Sequence, residues 1–397
     1  MSQIPSHERA NLWVVCAAQF LCLAGMTAIL PLLPLYLEQI GVEGQDNVRY
    51  WTGALSAAPF VIAIFATPMW GALADRIGHK PMVVRSVIGI AIVSAGMGFA
   101  TAPIELLAWR GLQGAVSGVF PAAVGLLTTL TPEARMGRSL AILQATRSGG
   151  VLSGPLIGGV LADVVGIRPL FLGVGAIAIV TAGVCMLVLE ERSEAPQPQN
   201  ALGTPRWRDL MGQRSVLGML AVVLIYQVAV MSSWPTMALF VEQLGIEKDA
   251  VATMTGVVIF AQGLPAMLLA TSWVRLVPRF GLARVLGTAV ILSGVLNFAV
   301  GLAPGIVSVL VLRALTGAAM AGFIPLSFQW LNGYAPENAR GRMAGISSTS
   351  MMLGNVIGSF LGSWLSVEIG LGATFWVPGI VLTITGVTFA IASRSRR

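Results

Sequence analysis

Residues 132–138 read PEARMGR and residues 336–342 read PENARGR, a separation of 336 − 132 = 204 positions in a chain of 397. The same step pairs Pro31 with Pro235, Glu38-Gln39 with Glu242-Gln243, Gly41 with Gly245, Pro121 with Pro325, Gly154 with Gly358, Gly158 with Gly362, Gly166 with Gly370 and Phe171 with Phe375. Most of these are prolines and glycines, which decide where a backbone bends, turns or meets another backbone closely. A repeat far longer than a solenoid unit of about 20 to 50 residues predicts two domain-sized halves built on one fold.

Composition sets the solvent. The chain is 56% hydrophobic and 10% charged, against about 25% charged in soluble domains, so it cannot cover itself with a wetted surface. Apolar windows of about 20 residues, the length that spans a bilayer as a helix, recur twelve times. They lie near 11–37, 51–73, 82–100, 104–130, 138–162, 169–189, 215–241, 251–274, 285–303, 306–334, 343–367 and 372–393. Barrel strands would alternate apolar with polar residues, and these windows are apolar all round. The expected fold is therefore all-α and integral to a membrane. It divides into a six-helix bundle over 1–189, a cytoplasmic linker over 190–214 and a second six-helix bundle over 215–397. The linker is rich in polar residues and proline, and Trp207, Arg208 and Leu210 fit a short helix on the membrane surface. Forty-six glycines suit close helix packing, as in Gly114-x-x-x-Gly118 and Gly154-x-x-x-Gly158.

Charge placement orients the spans. With the N-terminus in the cytoplasm, inner segments hold 18 of the 24 Lys and Arg residues, Arg85 among them, and outer loops hold only Arg49, Arg168 and Lys248. That asymmetry predicts both termini in the cytoplasm. The net charge of +7 is thus a topology signal. Its scatter over short loops argues against a nucleic-acid partner. The first apolar stretch exceeds the roughly 7 to 15 residues of a signal h-region, so no cleavable signal is expected. Cys16, Cys22 and Cys185 fall inside spans and read as small packed residues rather than a disulfide framework.

Residues 71–81, GALADRIGHKP, join the second and third spans. Gly71, Leu73, Asp75, Arg76, Gly78 and Lys80 resemble the signature loop of the major facilitator superfamily. Locally, Gly71 permits close helix approach, Gly78 permits a tight turn, and Asp75 suits a neighbouring helix N-terminus. Such a cluster suits a cytoplasmic latch between the halves. The second-half counterpart, LVPRFGLAR at 276–284, keeps Arg279 and Gly281 but has Pro278 where Asp75 would stand. His79 in this loop and His7 in the tail do not read as buried proton relays.

Arg110, Gln113 and Gly114 in span four match the superfamily's Arg-x-x-Gln-Gly pattern, and the resemblance implicates the arginine in proton coupling. A charge inside the bilayer is costly unless it meets a cavity or a partner. Arg313 corresponds to it, followed by Thr316 in place of the glutamine. Gly150, Gly154, Pro155, Gly158 and Gly159 in span five resemble the antiporter motif of the superfamily's exporters. Leu30-Pro31-Leu32-Leu33-Pro34 resembles the first-helix motif of its 12-span drug:proton antiporter branch. Leu33–Gly41 and Gly166–Phe171 are similar to stretches of that branch's multidrug-resistance proteins. The resemblance covers the whole chain. It implies the major facilitator fold of two pseudo-symmetric six-helix bundles in a bacterial cytoplasmic membrane. The implied activity is proton-coupled export of drugs or amphipathic compounds by alternating access. No cofactor, metal or enzymatic activity is implied; the proton gradient supplies energy, and the partners are a small-molecule substrate, protons and the lipid bilayer, with a monomer expected.

No Asp or Glu lies deep in any span, a departure from that branch. Glu38, Glu242 and Asp163 stand at outer span ends, where an interfacial charge is the plainer reading of each. Arg147, about nine residues into span five and hence roughly 13 Å deep, has no acid of its own helix in reach. That raises an alternative cargo, an anionic carboxylate-bearing compound such as a citrate-type siderophore, with Arg147, Arg110 and Arg313 as counter-charges. Further cavity candidates are Gln19, Thr27, Gln144, Gln227, Trp234, Gln262, Gln329, Trp330 and Asn355. Helix-to-helix hydrogen bonding is the competing reading for each amide. A membrane enzyme or sensor is the alternative from another class; the chain offers no P-loop, no His-Glu-x-x-His, no paired Cys ligands and two histidines.

Overall fold

A computed structural model describes residues 6–190, 212–336 and 339–394. Of the expected linker, 191–211 lie outside the described residues. Without water in the hydrocarbon region each backbone N–H and C=O must be paired within the segment, and every regular element among the described residues is a helix. The first eight helices are α1 (Ser6–Ile29), α2 (Leu33–Gln39), α3 (Gln45–Ile77), α4 (His79–Phe99), α5 (Pro103–Val116), α6 (Val119–Leu130), α7 (Glu133–Val165) and α8 (Ile167–Val188). Their counterparts are α9 (Arg214–Ser233), α10 (Met237–Gln243), α11 (Val251–Phe280), α12 (Leu282–Gly301), α13 (Ile306–Met320), α14 (Phe323–Asn332), α15 (Arg340–Glu368) and α16 (Ala373–Arg394). They make twelve segments long and apolar enough to cross a membrane, as the windows predicted.

Four of these segments are broken, which hydropathy did not indicate. Span one changes to a 3-10 turn at Leu30–Leu32, where Pro31 has no N–H to continue the ladder. Span seven stops at Ser233 and resumes at Met237, across Pro235. Span four breaks at Ser117-Gly118, with Gly118 at φ 122°. Span ten breaks at Ala321-Gly322, where Gly322 has φ −83°. The offset between the halves is 318 − 115 = 203 before this last break and 322 − 118 = 204 after it. The extra residue lets α13 run on and removes the need for a left-handed glycine.

Contacts divide the described residues into two units, one over Met1–Glu43, Ala58–Gln197 and Asp249–Gly256, the other over Gly44–Ala57, Pro198–Lys248 and Val257–Arg397. They differ from a division at 189 and 215 in two short pieces, the opening turns of α3 and of α11. In unit one, α1 packs along α7 and α4 along α8. In unit two, α9 packs along α15 and α12 along α16. Each unit has its own apolar core, around Val15, Val87, Leu126 and Leu143 in the first and Val216, Leu286, Phe323 and Met343 in the second.

Glycine stripes set the closest approaches. A Cβ on Gly150 would lie 2.8 Å from the Phe20 carbonyl oxygen, and one on Gly158 would lie 2.5 Å from Ala28 Cβ. A Cβ on Gly154 would meet Thr27 and the Ala24 backbone. The same row recurs in unit two, where Gly354, Gly358 and Gly362 face the backbones of Leu224, Val228 and Ser232. Each of those pairs is displaced by 204 from its partner. The stripe is therefore how the fold packs its fifth span on its first and its eleventh on its seventh; Pro155 and Gly159 are replaced by Ser359 and Ser363.

The breaks in spans four and ten are tied by one repeated bond. Trp70 Nε1 donates to the Ala115 carbonyl at 2.6 Å, and Trp273 Nε1 donates to the Ala318 carbonyl at 2.8 Å. Both carbonyls belong to the last turn of a half-helix, where no intrahelical donor follows. Trp70→Phe and Trp273→Phe are each expected to cost about 1–2 kcal/mol, the usual penalty for an orphaned buried acceptor. Matched downward shifts in thermal unfolding in detergent are the expected reading; no shift in either variant would show that these bonds carry no load.

Candidate functional site

The site is built from charged and amide side chains on the broken and glycine-lined helices. Arg110 and Gln113 on α5 are 3% and 1% exposed. Arg110 Nη1 donates to Gln113 Oε1, one helical turn on. Gly114 completes the motif, because a Cβ there would fall on the Pro59 carbonyl of α3. The motif thus combines a buried charge, its amide acceptor and the bare backbone that lets α3 close over them. In α13, Arg313 is 1% exposed. Its Nε and Nη2 have no hydrogen-bond partner among the described residues, and its guanidinium lies 5.4 Å from the centre of the Phe375 ring. Thr316, in place of Gln113, donates to its own helix at Leu312 O, 2.7 Å away, so it does nothing for the arginine. Gly317 keeps the glycine's role against the Gln262 carbonyl of α11.

Arg147 on α7 lies with its guanidinium carbon 4.6 Å from the Phe120 ring centre on α6, a cation–π distance. Its Nε has no partner among the described residues. Gln19 on α1 is 1% exposed, and neither amide atom has a described partner. Gln227 Nε2 donates to Asn355 Oδ1 at 2.7 Å, so this pair clamps α9 to α15, as the competing reading held. Gln262 Nε2 donates to Met320 Sδ at 2.9 Å, leaving its buried Oε1 unpartnered. Trp330 sits among Tyr334 and Phe389, and the indole N–H groups of Trp330 and Trp234 are buried without acceptors among the described residues.

Several expectations change. Thr27 Oγ1 donates to Leu23 O at 2.8 Å within its own helix, so its hydroxyl proton is already used. Gln144 and Gln329 are exposed. Gly71 makes no close approach, since a Cβ there would meet nothing within 4 Å. Gly78 does make the expected turn, at φ 94°, and Gly281 repeats it at φ 84°. Asp75 belongs to α3, and its side chain lies outside the described residues. Arg76 is exposed, and Lys80 is half-buried in the first turn of α4. His79 is not a loop residue: it opens α4, and a Cβ on Gly125 of α6 would collide with its ring. Glu38 is exposed, and Glu242 pairs with Lys248 at 3.8 Å. Asp163 Oδ2 accepts from the backbone N–H of Thr253 at 2.7 Å.

Arg85 is the residue that sequence reasoning missed. Counted among inner loop charges, it sits in α4 with its guanidinium carbon 3.6 Å from the Trp70 ring centre. It donates to Ser86 Oγ at 2.8 Å and to the Ser117 carbonyl at 3.1 Å. A guanidinium at the end of α5 complements the negative end of the helix dipole. The available signal was its place three residues inside an apolar window.

The Major Facilitator Superfamily model matches residues 15–260 and 219–397. The chain is 32% identical over 400 residues to the multidrug resistance protein MdtG of Citrobacter koseri, covering 100% of this chain and 98% of that one. It is 32% identical over 395 residues to MdtG of Escherichia coli O1:K1, covering 99% and 97%. Among solved structures, a bacterial homologue of the human lysosomal transporter Spinster superposes with a TM-score of 0.81 at 15% identity, covering 99% and 98%, a likeness of fold. With its twelve membrane-length helices, that match over most of its length and those full-length relatives, the chain, a multi-pass membrane transporter, belongs to the major facilitator superfamily.

Proposed function

We propose that this transporter exports drugs or other amphipathic compounds across the bacterial inner membrane by alternating access, exchanging them for protons as a monomer. Both termini face the cytoplasm, and the two bundles are 1–189 and 215–397, with the cytoplasmic linker 190–214 between them in sequence. The observation that carries this reading is the full-length 32% identity to multidrug-resistance proteins, joined to a buried arginine–glutamine pair on a half-broken helix. Membership of a transporter superfamily leaves the membrane enzyme or sensor without support.

One observation favours a second reading of the cargo. Among the described residues no carboxylate pairs with Arg147, and two nitrogens of the buried Arg313 are bare. A positive interior favours anionic amphiphiles and repels cations. Nothing in the relatives' names points to siderophores, so the anion is defined only as a carboxylate-bearing amphiphile.

Transport by purified protein in proteoliposomes under an imposed pH gradient tests both readings. A fluorescent amphiphile is expected to move against its gradient and to stop when a protonophore is added. Flux indifferent to the protonophore would overturn proton coupling. Arg147→Ala is expected to lower transport of an anionic amphiphile about tenfold, the order of one lost charge-assisted contact, and to raise that of a cationic one. An unchanged preference in a variant of unchanged melting temperature would dispose of the anion reading.

A further inference from the structure

The opening turns of α3 and α11 each cling to a helix from the opposite half of the sequence. In unit one, Gly159 of α7 lies against the Ala252 carbonyl, and Gly256 lies against the Pro155 carbonyl. In unit two, a Cβ on Gly53 of α3 would lie 3.0 Å from the Ser359 carbonyl of α15, and Ser363 Oγ donates to the Arg49 carbonyl at 2.7 Å. These junctions are copies of one another, since 256 − 53 = 203 and 363 − 159 = 204.

Their chemistry is opposite. At the first, the Asp163 carboxylate accepts from Thr253 N–H, one of the opening N–H groups that α11 cannot satisfy itself. At the second, Arg49 Nη1 donates 2.8 Å to the carbonyl of Ser366, in the last turn of α15, and Tyr50 O–H reaches Glu368 Oε1 at 3.4 Å. A carboxylate thus meets a helix N-terminus and a guanidinium meets a helix C-terminus, each with the favourable sign for the helix dipole. The repeat itself does not explain this, for Val367 stands where Asp163 would and Ala252 where Arg49 would. The closest contacts around them are glycines and serines against backbone. Asp163 supplies the charged contact at the first junction; at the second it is Arg49, which also lies 3.7 Å from Asp46, with Glu368 beside it, and a sliding of helix ends can break each of these contacts.

We propose that Asp163 and Arg49 form a paired latch at the outer ends of the spans, closed on α11 and α15 between transport turns and broken when the protein opens outward. This rests on the topology and alternating access proposed above. The test is a pair of spin labels at Ile104→Cys and Val307→Cys, at the starts of α5 and α13, with the three native cysteines replaced by alanine. Distances are measured on the purified full chain without substrate. Asp163→Ala and Arg49→Met are each expected to raise the long-distance population about tenfold relative to the short, the effect of one lost hydrogen bond to a charged group. The double variant is expected to raise it by about the product of the two, and Asp163→Asn by less than Asp163→Ala. Unchanged distances in both single variants would overturn the latch and leave the contacts as static packing, whatever the melting temperature does. Labels at Gly137→Cys and Gly341→Cys, at the inner ends, separate the two ideas. If they respond to substrate while the outer pair ignores the variants, the latch alone fails; if they never respond, alternating access fails as well.

Discussion

Gly114→Ala and Gly317→Ala are expected to be among the most damaging small substitutions in the protein. An alanine inside a helix ordinarily gains about 1 kcal/mol over glycine. Here the new Cβ would fall on the carbonyl group of Pro59 in one half and of Gln262 in the other. Backbone carbonyls cannot rotate aside as side chains do, so α3 must leave α5, or α11 leave α13. Overpacking of this kind costs about 1–3 kcal/mol and occasionally more, and the lost cover over Arg110 adds to it. Thermal unfolding is expected to fall by several degrees in both variants, with transport lost. Gly183→Ala and Gly218→Ala are the controls, because a Cβ at either position meets nothing within 4 Å. Those two are expected to be neutral or stabilised by up to about 1 kcal/mol. Tolerance of Gly114→Ala would mean that α3 does not approach α5 as described.

Arg313→Met and Arg110→Met are expected to move stability in opposite directions, although the two arginines stand at equivalent places in the repeat. Arg313 is 1% exposed, with two nitrogens lacking any described partner, so its desolvation is not repaid. Replacing unrepaid buried charge by an apolar group of similar volume commonly stabilises by about 1–4 kcal/mol. Arg110 donates to Gln113, and its removal strands a buried amide oxygen at a cost of about 1–3 kcal/mol. The measurement is melting temperature alongside proteoliposome flux. A stabilised Arg313→Met protein that no longer transports would identify a charge retained for function. A destabilised one would make Arg313 a structural pin instead.

Much of this architecture was legible in the chain because the bilayer leaves few options. Twelve apolar windows had to be helices, and the 204-residue step had to be two copies. What hydropathy could not show were the interruptions at Ser117-Gly118 and Ala321-Gly322, because a break costs little in apolarity and is decided by a donor arriving from elsewhere, here Trp70 and Trp273. Site residues were legible in kind and less so in duty. Arg110 and Gln113 were named together as a motif, and their hydrogen bond to each other came only with the structure. Gln227 and Asn355, 128 residues apart, were named separately and turn out to hold each other. Arg85 was lost among topology charges, because charge counting cannot tell a headgroup anchor from a helix cap.

By itself the sequence determined the membrane location, the helical class, the duplication and the turn at Gly78. Those follow from local composition and from backbone sterics, which act over a few residues. Only the tertiary structure decided which polar groups are spent. It gave Thr27 to Leu23, Asp163 to the start of α11 and Arg49 to the end of α15, and it left Arg147 and Arg313 without carboxylates among the described residues. The reason is that pairing depends on which helix faces arrive within about 3 Å of each other, and glycine and proline positions in distant segments set that approach.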